Sequence, residues 1–376
     1  MEQLNTLKNE TVNNNNSTTI QKGSNAMTTS TYLINNTNEY INTSLIKEID
    51  FLSQYKYLKS GYDNLDAETS LYPGLYVLGA VSSLGKTTFI HQMADQIAMS
   101  GTPVLYISLE MSTLELVSKS LARESAVINQ LDADKSKSAI DIRNEGILSA
   151  EVQDIVDSYS QKAASNLTIA ESTFGMSIKD IENVIENYIK EYNTTPVVII
   201  DYLQCISIGD NIRAQIDDVI RTLKQIQKRN SLTMFVISSF NRANYTKQVD
   251  FTSFKESGMI EYTADVVWGL QLSEISSVNF ENANDDEKRK LYQKAKSENP
   301  RKVELVVLKN RFGKIGNEFE FTYYPKYDLF LPVGTSISKY ANHNHQGYHQ
   351  LTLEELLKFE DAPDGVPFLD KVKGGE

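Results

Sequence analysis

The run Ala80-Val81-Ser82-Ser83-Leu84-Gly85-Lys86-Thr87 carries the strongest chemical signal in the chain. It fits the phosphate-loop pattern of a glycine, four residues, then Gly-Lys-Thr, except that Ala80 stands where the first glycine is expected. Gly79 sits one residue too early to fill that place. The chemistry survives the change. Successive backbone amides from Ala80 through Ser82, Ser83, Leu84 and Gly85 to Thr88, together with a helix N-terminus, present donors to the phosphates of a nucleoside triphosphate. Lys86 would reach the outer phosphates, and the Thr87 hydroxyl would bind magnesium.

Two carboxylates end apolar runs further along. Val198-Ile199-Ile200-Asp201 puts Asp201 at the tip of a strand, where a phosphate-loop fold needs a second magnesium-side carboxylate; its alternative use is as a helix cap. Ser108-Leu109-Glu110-Met111 ends its run in the same way. A carboxylate there could polarise an attacking water as general base. Spacing alone leaves Glu110 between that role and a plain surface charge.

These positions demand a frame of alternating strands and helices. Leu75 to Gly79 predicts a strand, followed by a helix from Lys86 to about Met99. Val104 to Ser108 predicts a second strand, and Ser112 with Glu115 forms a capping box before Leu116, Val117 and Leu121. Ile181, Val184, Ile185, Tyr188 and Ile189 have helical spacing before the strand Val197 to Ile200. Ile216, Val219, Ile220, Leu223 and Ile226 repeat the pattern before Met234 to Ile237. Apolar strands separated by helices predict an α/β fold with a mostly parallel sheet covered on both faces. Lys302 to Leu308 and Glu318 to Tyr323, joined through a glycine-containing turn, predict an antiparallel hairpin added at the end. Trp268 lies in an apolar run and reads as core.

Composition divides the chain. Residues 1–45 are rich in Asn, Thr and Ser, bury too little to offset their ordering entropy, and read as a disordered tail. Residues 46–57 read as a linker helix, 58–333 as the catalytic domain, and 334–376 as a polar tail with a short helix near Leu353 to Phe359. The charged stretch from Ser273 to Pro300 reads as a surface insertion. His343, His345 and His349 cluster in the polar tail, where no ordered second shell favours metal binding. A net charge of −12 excludes a globally basic nucleic-acid binder, so any nucleic acid must be held by a local patch or a ring of subunits. The single cysteine, Cys205, reads as a small buried residue and fits a reducing cytoplasm. The chain carries neither an apolar run long enough for a membrane span nor a leader.

Several of these segments together resemble the DnaB-type replicative helicases. Ser108 to Met111 and Ile200-Asp201-Tyr202-Leu203-Gln204 are similar to two of that family's motifs. So are Ser60 to Asp66, Ser238-Ser239-Phe240-Asn241-Arg242, the stretch from Lys255-Glu256-Ser257-Gly258 to Ala264-Asp265, and Lys309-Asn310-Arg311-Phe312-Gly313. The resemblance covers residues 58 to 332, and its motifs recur in one order. It implies a RecA-like core that hydrolyses ATP with Mg2+, in which Glu110 is the catalytic base. It also implies that Lys309 and Arg311 reach the nucleotide of a neighbouring subunit. Lys255, Glu256 and Gly258 would belong to a loop gripping single-stranded DNA inside a homo-hexameric ring, with a primase or a loader protein as further partners. Read without the resemblance, Lys309 and Arg311 are solvated charges at a strand end, and Lys255-Glu256 is an exposed ion pair.

The chain departs from the family in places. Ser239 stands where a γ-phosphate-sensing glutamine is usual, and Lys255 replaces an arginine, which keeps the charge and loses the bidentate fork. The family's N-terminal helical collar has no counterpart in this sequence. The expectation is an ATP-driven DNA helicase, with a RecA-like recombination ATPase or a regulatory ring ATPase as the competing readings.

Overall fold

The computed structural model describes residues 36–146, 149–172, 176–206, 212–241, 245–254 and 258–345. The expected DNA-loop residues Lys255 and Glu256, His349 and the helix expected near Leu353 lie outside them. The chain divides into one unit ending at Glu48 and a second from Ile49 onward.

Helix starts earlier than composition suggests. α1 (Thr37–Tyr40) leads through a π-helical turn into α2 (Ile46–Gln54). Asn36, which composition alone assigned to the tail, acts as N-cap: its side chain accepts from the N–H groups of Asn38 and Glu39 at 3.0 and 3.2 Å. The Tyr40 hydroxyl donates to Glu48 at 2.7 Å.

In the second unit the strands are β1 (Gly74–Ala80), β2 (Val104–Ser108), β3 (Leu167–Glu171), β4 (Val197–Asp201), β5 (Thr233–Ser239), β6 (Val266–Leu272), β7 (Arg301–Asn310), β8 (Glu318–Tyr324) and β9 (Leu329–Pro332). They form one sheet in the order β3-β2-β4-β5-β1-β6-β7-β8-β9. Every pairing from β3 to β6 is parallel, and β6 through β9 pair antiparallel. The parallel strands need crossover helices, which bury both faces of the sheet, so β1, β2, β4 and β6 are buried at every residue. β8 instead alternates, with Phe319, Phe321 and Tyr323 inward and Glu318 and Glu320 exposed.

The helices of this unit are α3 (Asp63–Asp66), α4 (Lys86–Met99), α5 (Thr113–Ile128), α6 (Ala139–Glu145), α7 (Ala150–Tyr159), α8 (Ile178–Tyr192), α9 (Ile212–Arg229), α10 (Met259–Thr263), α11 (Val278–Asn282), α12 (Asp285–Ser297) and α13 (Ile337–His345). The expected capping box starts α5, where Ser112 Oγ accepts from Glu115 N–H and the Glu115 carboxylate accepts from Ser112 N–H. α4 is held from both sides. Tyr62, Phe89, Phe321 and Phe330 pack as rings at 4.6 to 6.4 Å between α4 and the β8–β9 pair. On its other side Asp95 accepts from Arg123 at 2.6 Å, Ser120 at 2.7 Å and Tyr159 at 2.9 Å, a buried network tying α4 to α5 and α7.

Two segments differ from the compositional reading. Residues 273–300 are not loose surface: Ile275, Phe280 and Tyr292 are buried and seat α11 and α12 on the sheet. A few large apolar residues are enough to order a stretch whose charges stay at the surface. The domain also extends past 333, because Tyr340 and Ala341 of α13 pack with Ala126, Val127, Leu329 and Leu331. The Tyr340 hydroxyl is bonded to Gln92 and Gln96 at 3.0 and 2.9 Å. Among the described residues no group of three or more potential ligands could hold a metal ion, and no helix is long and apolar enough to cross a membrane.

Candidate nucleotide site

The phosphate loop connects the C-terminal tip of β1 to the first turn of α4. Ser83 and Gly85 both have left-handed backbones, with φ of 64° and 97°. Gly85 has a second constraint. A Cβ there would lie 2.9 Å from Phe330 Cζ and 2.9 Å from Tyr323 Cε1, so only glycine fits both the dihedral and the space. Lys86 opens α4 with its ammonium 5.8 Å from the Tyr202 ring centroid. Ser82 and Ser83 are exposed, and Leu84 is buried. The buried Thr88 hydroxyl donates to Asp328 at 2.8 Å, which leaves its backbone N–H as the group available to a phosphate.

Asp201 lies at the tip of β4, in register with Ser108 on β2. Its Oδ2 accepts from the Tyr106 hydroxyl at 2.9 Å, while Oδ1 is buried without a hydrogen-bond partner among the described residues. Burial raises the pKa of this carboxyl; the neighbouring Tyr106 and Thr87 hydroxyls and the Lys86 ammonium pull it back down. An unpartnered carboxylate oxygen beside a threonine hydroxyl is a donor set suited to a hard divalent cation, so the residues present fit magnesium. Glu110, just beyond the β2 tip, is exposed, and its charge opposes ionisation of Asp201.

Ser239 ends β5 opposite Ala80, beside the loop. Its N–H donates to Gln204 Oε1 at 3.3 Å, and Gln204 Nε2 donates to Ser238 Oγ at 3.0 Å. Gln204 therefore brings a carboxamide to the β5 tip from the turn after Asp201. The sequence offers no spacing from which that contact could be read.

Lys309 and Arg311 lie elsewhere. Lys309 pairs with Val267, which pairs with Val77, and Arg311 N–H donates to Asp265 O, whose own N–H donates to Leu75 O. Arg311 thus lies in the row of Leu75 and Lys309 in the row of Val77. At ~3.3 Å per residue along the strand these rows are roughly 17 and 10 Å from Ala80, each farther than the side chain extends. There the Arg311 guanidinium donates to Asp265 Oδ1 at 2.9 Å, and Lys224 bonds Oδ2 at 2.5 Å. The Lys309 ammonium donates to Glu261 O at 2.5 Å, and burial with the nearby Arg311 charge lowers its pKa.

Gly258 is exposed at the start of α10. Ser253 and Phe254 are held to the β5 end, with Phe240 bridging Phe254 and Asn241 N–H donating to Ser253 O at 2.8 Å. Trp268 is core, 2% exposed on β6, and Cys205 is half-buried against the core, with burial raising its thiol pKa.

A Gly-Lys-Thr loop opening a helix, a carboxylate at the tip of a nearby parallel strand and a mostly parallel sheet closed by antiparallel strands define a RecA-like phosphate-loop fold. Residues 57–331 match the model of the DnaB-like helicase C terminal domain, and the chain belongs to that family. It is 27% identical over 288 residues to a protein of Haemophilus influenzae described as Replicative DNA helicase DnaB, covering 73% of this chain and 56% of that protein. The fold is shared with a solved structure of an isolated ATPase domain, with a TM-score of 0.62 at 20% identity, covering 79% of this chain and 99% of that one. It is also shared with a DnaB-like replicative helicase solved to show its interactions with primase, with a TM-score of 0.61 at 20% identity, covering 78% of this chain and 68% of that one. The chain spans roughly half to two thirds of the length of the curated relatives it matches.

Proposed function

We propose that this chain is the motor of a replicative-type DNA helicase, which hydrolyses ATP to move on single-stranded DNA and separate duplex strands. The observation that carries the reading is the gathering of Gly85, Lys86, Thr87, Asp201 and Glu110 at one sheet edge, while Arg311 lies toward the other and Lys309 midway, both out of reach of the loop. Lys86 holds the outer phosphates. The Thr87 hydroxyl and Asp201 Oδ1 would hold magnesium, which neutralises charge on the phosphate oxygens. Glu110 accepts the proton of the attacking water. Arg311 and Lys309 stabilise the developing charge on a neighbour's nucleotide, so hydrolysis depends on assembly.

A homo-hexameric ring suits that division of labour and explains how an acidic chain holds DNA. One basic side chain, Lys255 in the segment from Lys255 to Gly258, repeated by each subunit, would line a channel and grip the backbone without regard to sequence. The bonds that hold Ser253 and Phe254, just ahead of that segment, to the β5 end would give a route by which a change at Ser239 reaches DNA. α2, which exposes Ile46, Ile49, Phe51 and Leu52, would dock on the adjacent subunit, and a primase or a loader protein would be further partners in the cytoplasm. Ser239 in place of glutamine favours a second reading, a recombination-type ATPase that binds DNA without unwinding it.

The test is ATP hydrolysis by the full chain with and without single-stranded DNA. The proposal expects stimulation by DNA and loss of hydrolysis in Lys86→Ala. A chain that hydrolyses ATP but neither binds single-stranded DNA nor responds to it is not a helicase motor, and hydrolysis surviving Lys86→Ala would exclude the loop as the site.

A further inference from the structure

Beside the phosphate loop lie two cations that the chemistry above does not use. Lys296, in the last turn of α12, donates to Ser82 O at 3.2 Å, with its ammonium 5.9 Å from the Tyr292 ring centroid. Arg301, at the start of β7 and only 8% exposed, donates to Ser83 O at 3.2 Å and to Lys296 O at 2.6 Å. Its guanidinium lies 4.9 Å from the centroid of Tyr323, whose other neighbour is Phe330 in a stack at 4.1 Å. These are the same two rings that close over Gly85.

The two acceptors are successive carbonyls. A trans peptide unit is planar, with its C=O and N–H pointing in opposite directions. Fixing the Ser82 carbonyl therefore fixes the direction of the Ser83 N–H, and fixing the Ser83 carbonyl fixes that of Leu84. Both amides belong to the part of the loop that would meet the phosphates. Ser83 also holds a left-handed backbone, which non-glycine residues adopt rarely without outside support. α12 is built to deliver its lysine there. Asn284 and Glu287 form a capping box at its start, acidic residues fill its first turn, Lys294 and Lys296 fill its last, and Tyr292 anchors it in the core.

We propose that Lys296 and Arg301 are positioning residues for nucleotide binding: the α12 insertion braces the outer face of the phosphate loop so that its amides are already turned toward the phosphates before nucleotide arrives. The inference rests on the phosphate loop being the nucleotide site. Preorganisation of this kind acts on affinity more than on the chemical step, because the braced amides contact phosphates in both ground and transition states.

The experiment is calorimetric titration of the full chain with magnesium ADP, paired with steady-state ATP hydrolysis, for wild type, Lys296→Met, Lys296→Arg and Arg301→Lys. Lys296→Met should weaken ADP binding and raise KM for ATP about five-fold, the affinity equivalent of one hydrogen bond, with a smaller change in kcat. Lys296→Arg should restore most of that loss. Arg301→Lys, which keeps charge and stem but loses the two-carbonyl fork, should weaken ADP binding at least as much. The proposal is overturned if Lys296→Met and Arg301→Lys bind ADP as wild type does. It is equally overturned if the apo melting temperature falls while affinity, measured well below melting, does not. Failure of the wild-type chain to bind magnesium ADP would instead remove the nucleotide-site reading beneath it.

Discussion

At the scale of single residues, the proposed site separates groups that would bind from a group that would react. Lys86, Thr87 and Asp201 would surround phosphate and metal, and Asp201 Oδ1 is left without a protein donor among the described residues. Glu110 stands apart on the neighbouring tip. Glu110→Gln should lower kcat by roughly 10²- to 10⁴-fold, the contribution of a positioned general base, while ADP affinity moves by no more than a few-fold; rapid-quench hydrolysis with parallel titrations checks both. The placements of Lys86 and Thr87 at the start of α4 and of Asp201 at a strand tip were legible in the sequence because each sits in a short local pattern. Tyr106, Gln204, Lys296 and Arg301 were not. Their contacts join segments from 30 to more than 200 positions apart, such as Gln204 with Ser238 and Arg301 with Ser83, and no local spacing encodes them.

At the scale of elements, the phosphate loop is closely packed, with Phe330 and Tyr323 against Gly85. Gly85→Ala would force a methyl against Tyr323 and Phe330 at an unfavourable dihedral, so the variant should lose nucleotide binding and melt at lower temperature; thermal denaturation and ADP titration read the two effects. The buried helix α4 also carries a pH liability. His91 is fully buried, bonded through Nε2 to Ser120 Oγ at 2.8 Å and Leu116 O at 3.0 Å, and burial pushes its pKa down from 6.5 to about 4. The folded state keeps this ring neutral while the unfolded chain protonates it below pH 6.5, so stability is lost as pH falls from 6.5 toward 4. The loss from this residue is at most about 3 kcal/mol at 1.36 kcal/mol per unit. Urea denaturation at pH 7, 5.5 and 4.5 should show a falling midpoint that His91→Gln flattens; an unchanged slope would exclude His91 as the cause. Asp95, held below the usual carboxylate range by its neighbours His91 and Arg123 against the opposing effect of burial, has the same sign but acts at lower pH.

Elements differ in how far they could be read in advance. β1, β2, β4 and β5 were legible because strands buried on both faces are continuous apolar runs. β3 was missed: Leu167–Glu171 lies at the sheet edge, is only half-buried, and mixes Thr and Glu among its apolar residues. α12 was hidden for the opposite reason, since only Tyr292, with Leu291 and Ala295 partly buried beside it, packs a helix that is mostly charged and polar.

At the scale of the whole molecule, the proposed function requires that a single chain not complete its own site. Arg311 and the phosphate loop occupy opposite ends of the sheet, with Asp265 seating the guanidinium at the far edge. Arg311→Ala should retain nucleotide binding and lose hydrolysis by roughly 10³- to 10⁵-fold, the usual contribution of such a residue. Mixed with Lys86→Ala chains, which have the finger and lack the loop lysine, it should regain hydrolysis, because some interfaces then pair an intact loop with an intact finger. Two inactive variants that stay inactive together would contradict a shared site. The resemblance in the sequence pointed to this arrangement, and the register of β1, β6 and β7 supplies the distance that argues for it.

Strand separation on a forked DNA duplex, with ATP and magnesium, tests the central claim most directly. The account predicts separation by the wild-type chain that requires hydrolysable ATP and is abolished by Lys86→Ala and by Arg311→Ala. Hydrolysis of ATP on that same fork with the duplex left intact would contradict it.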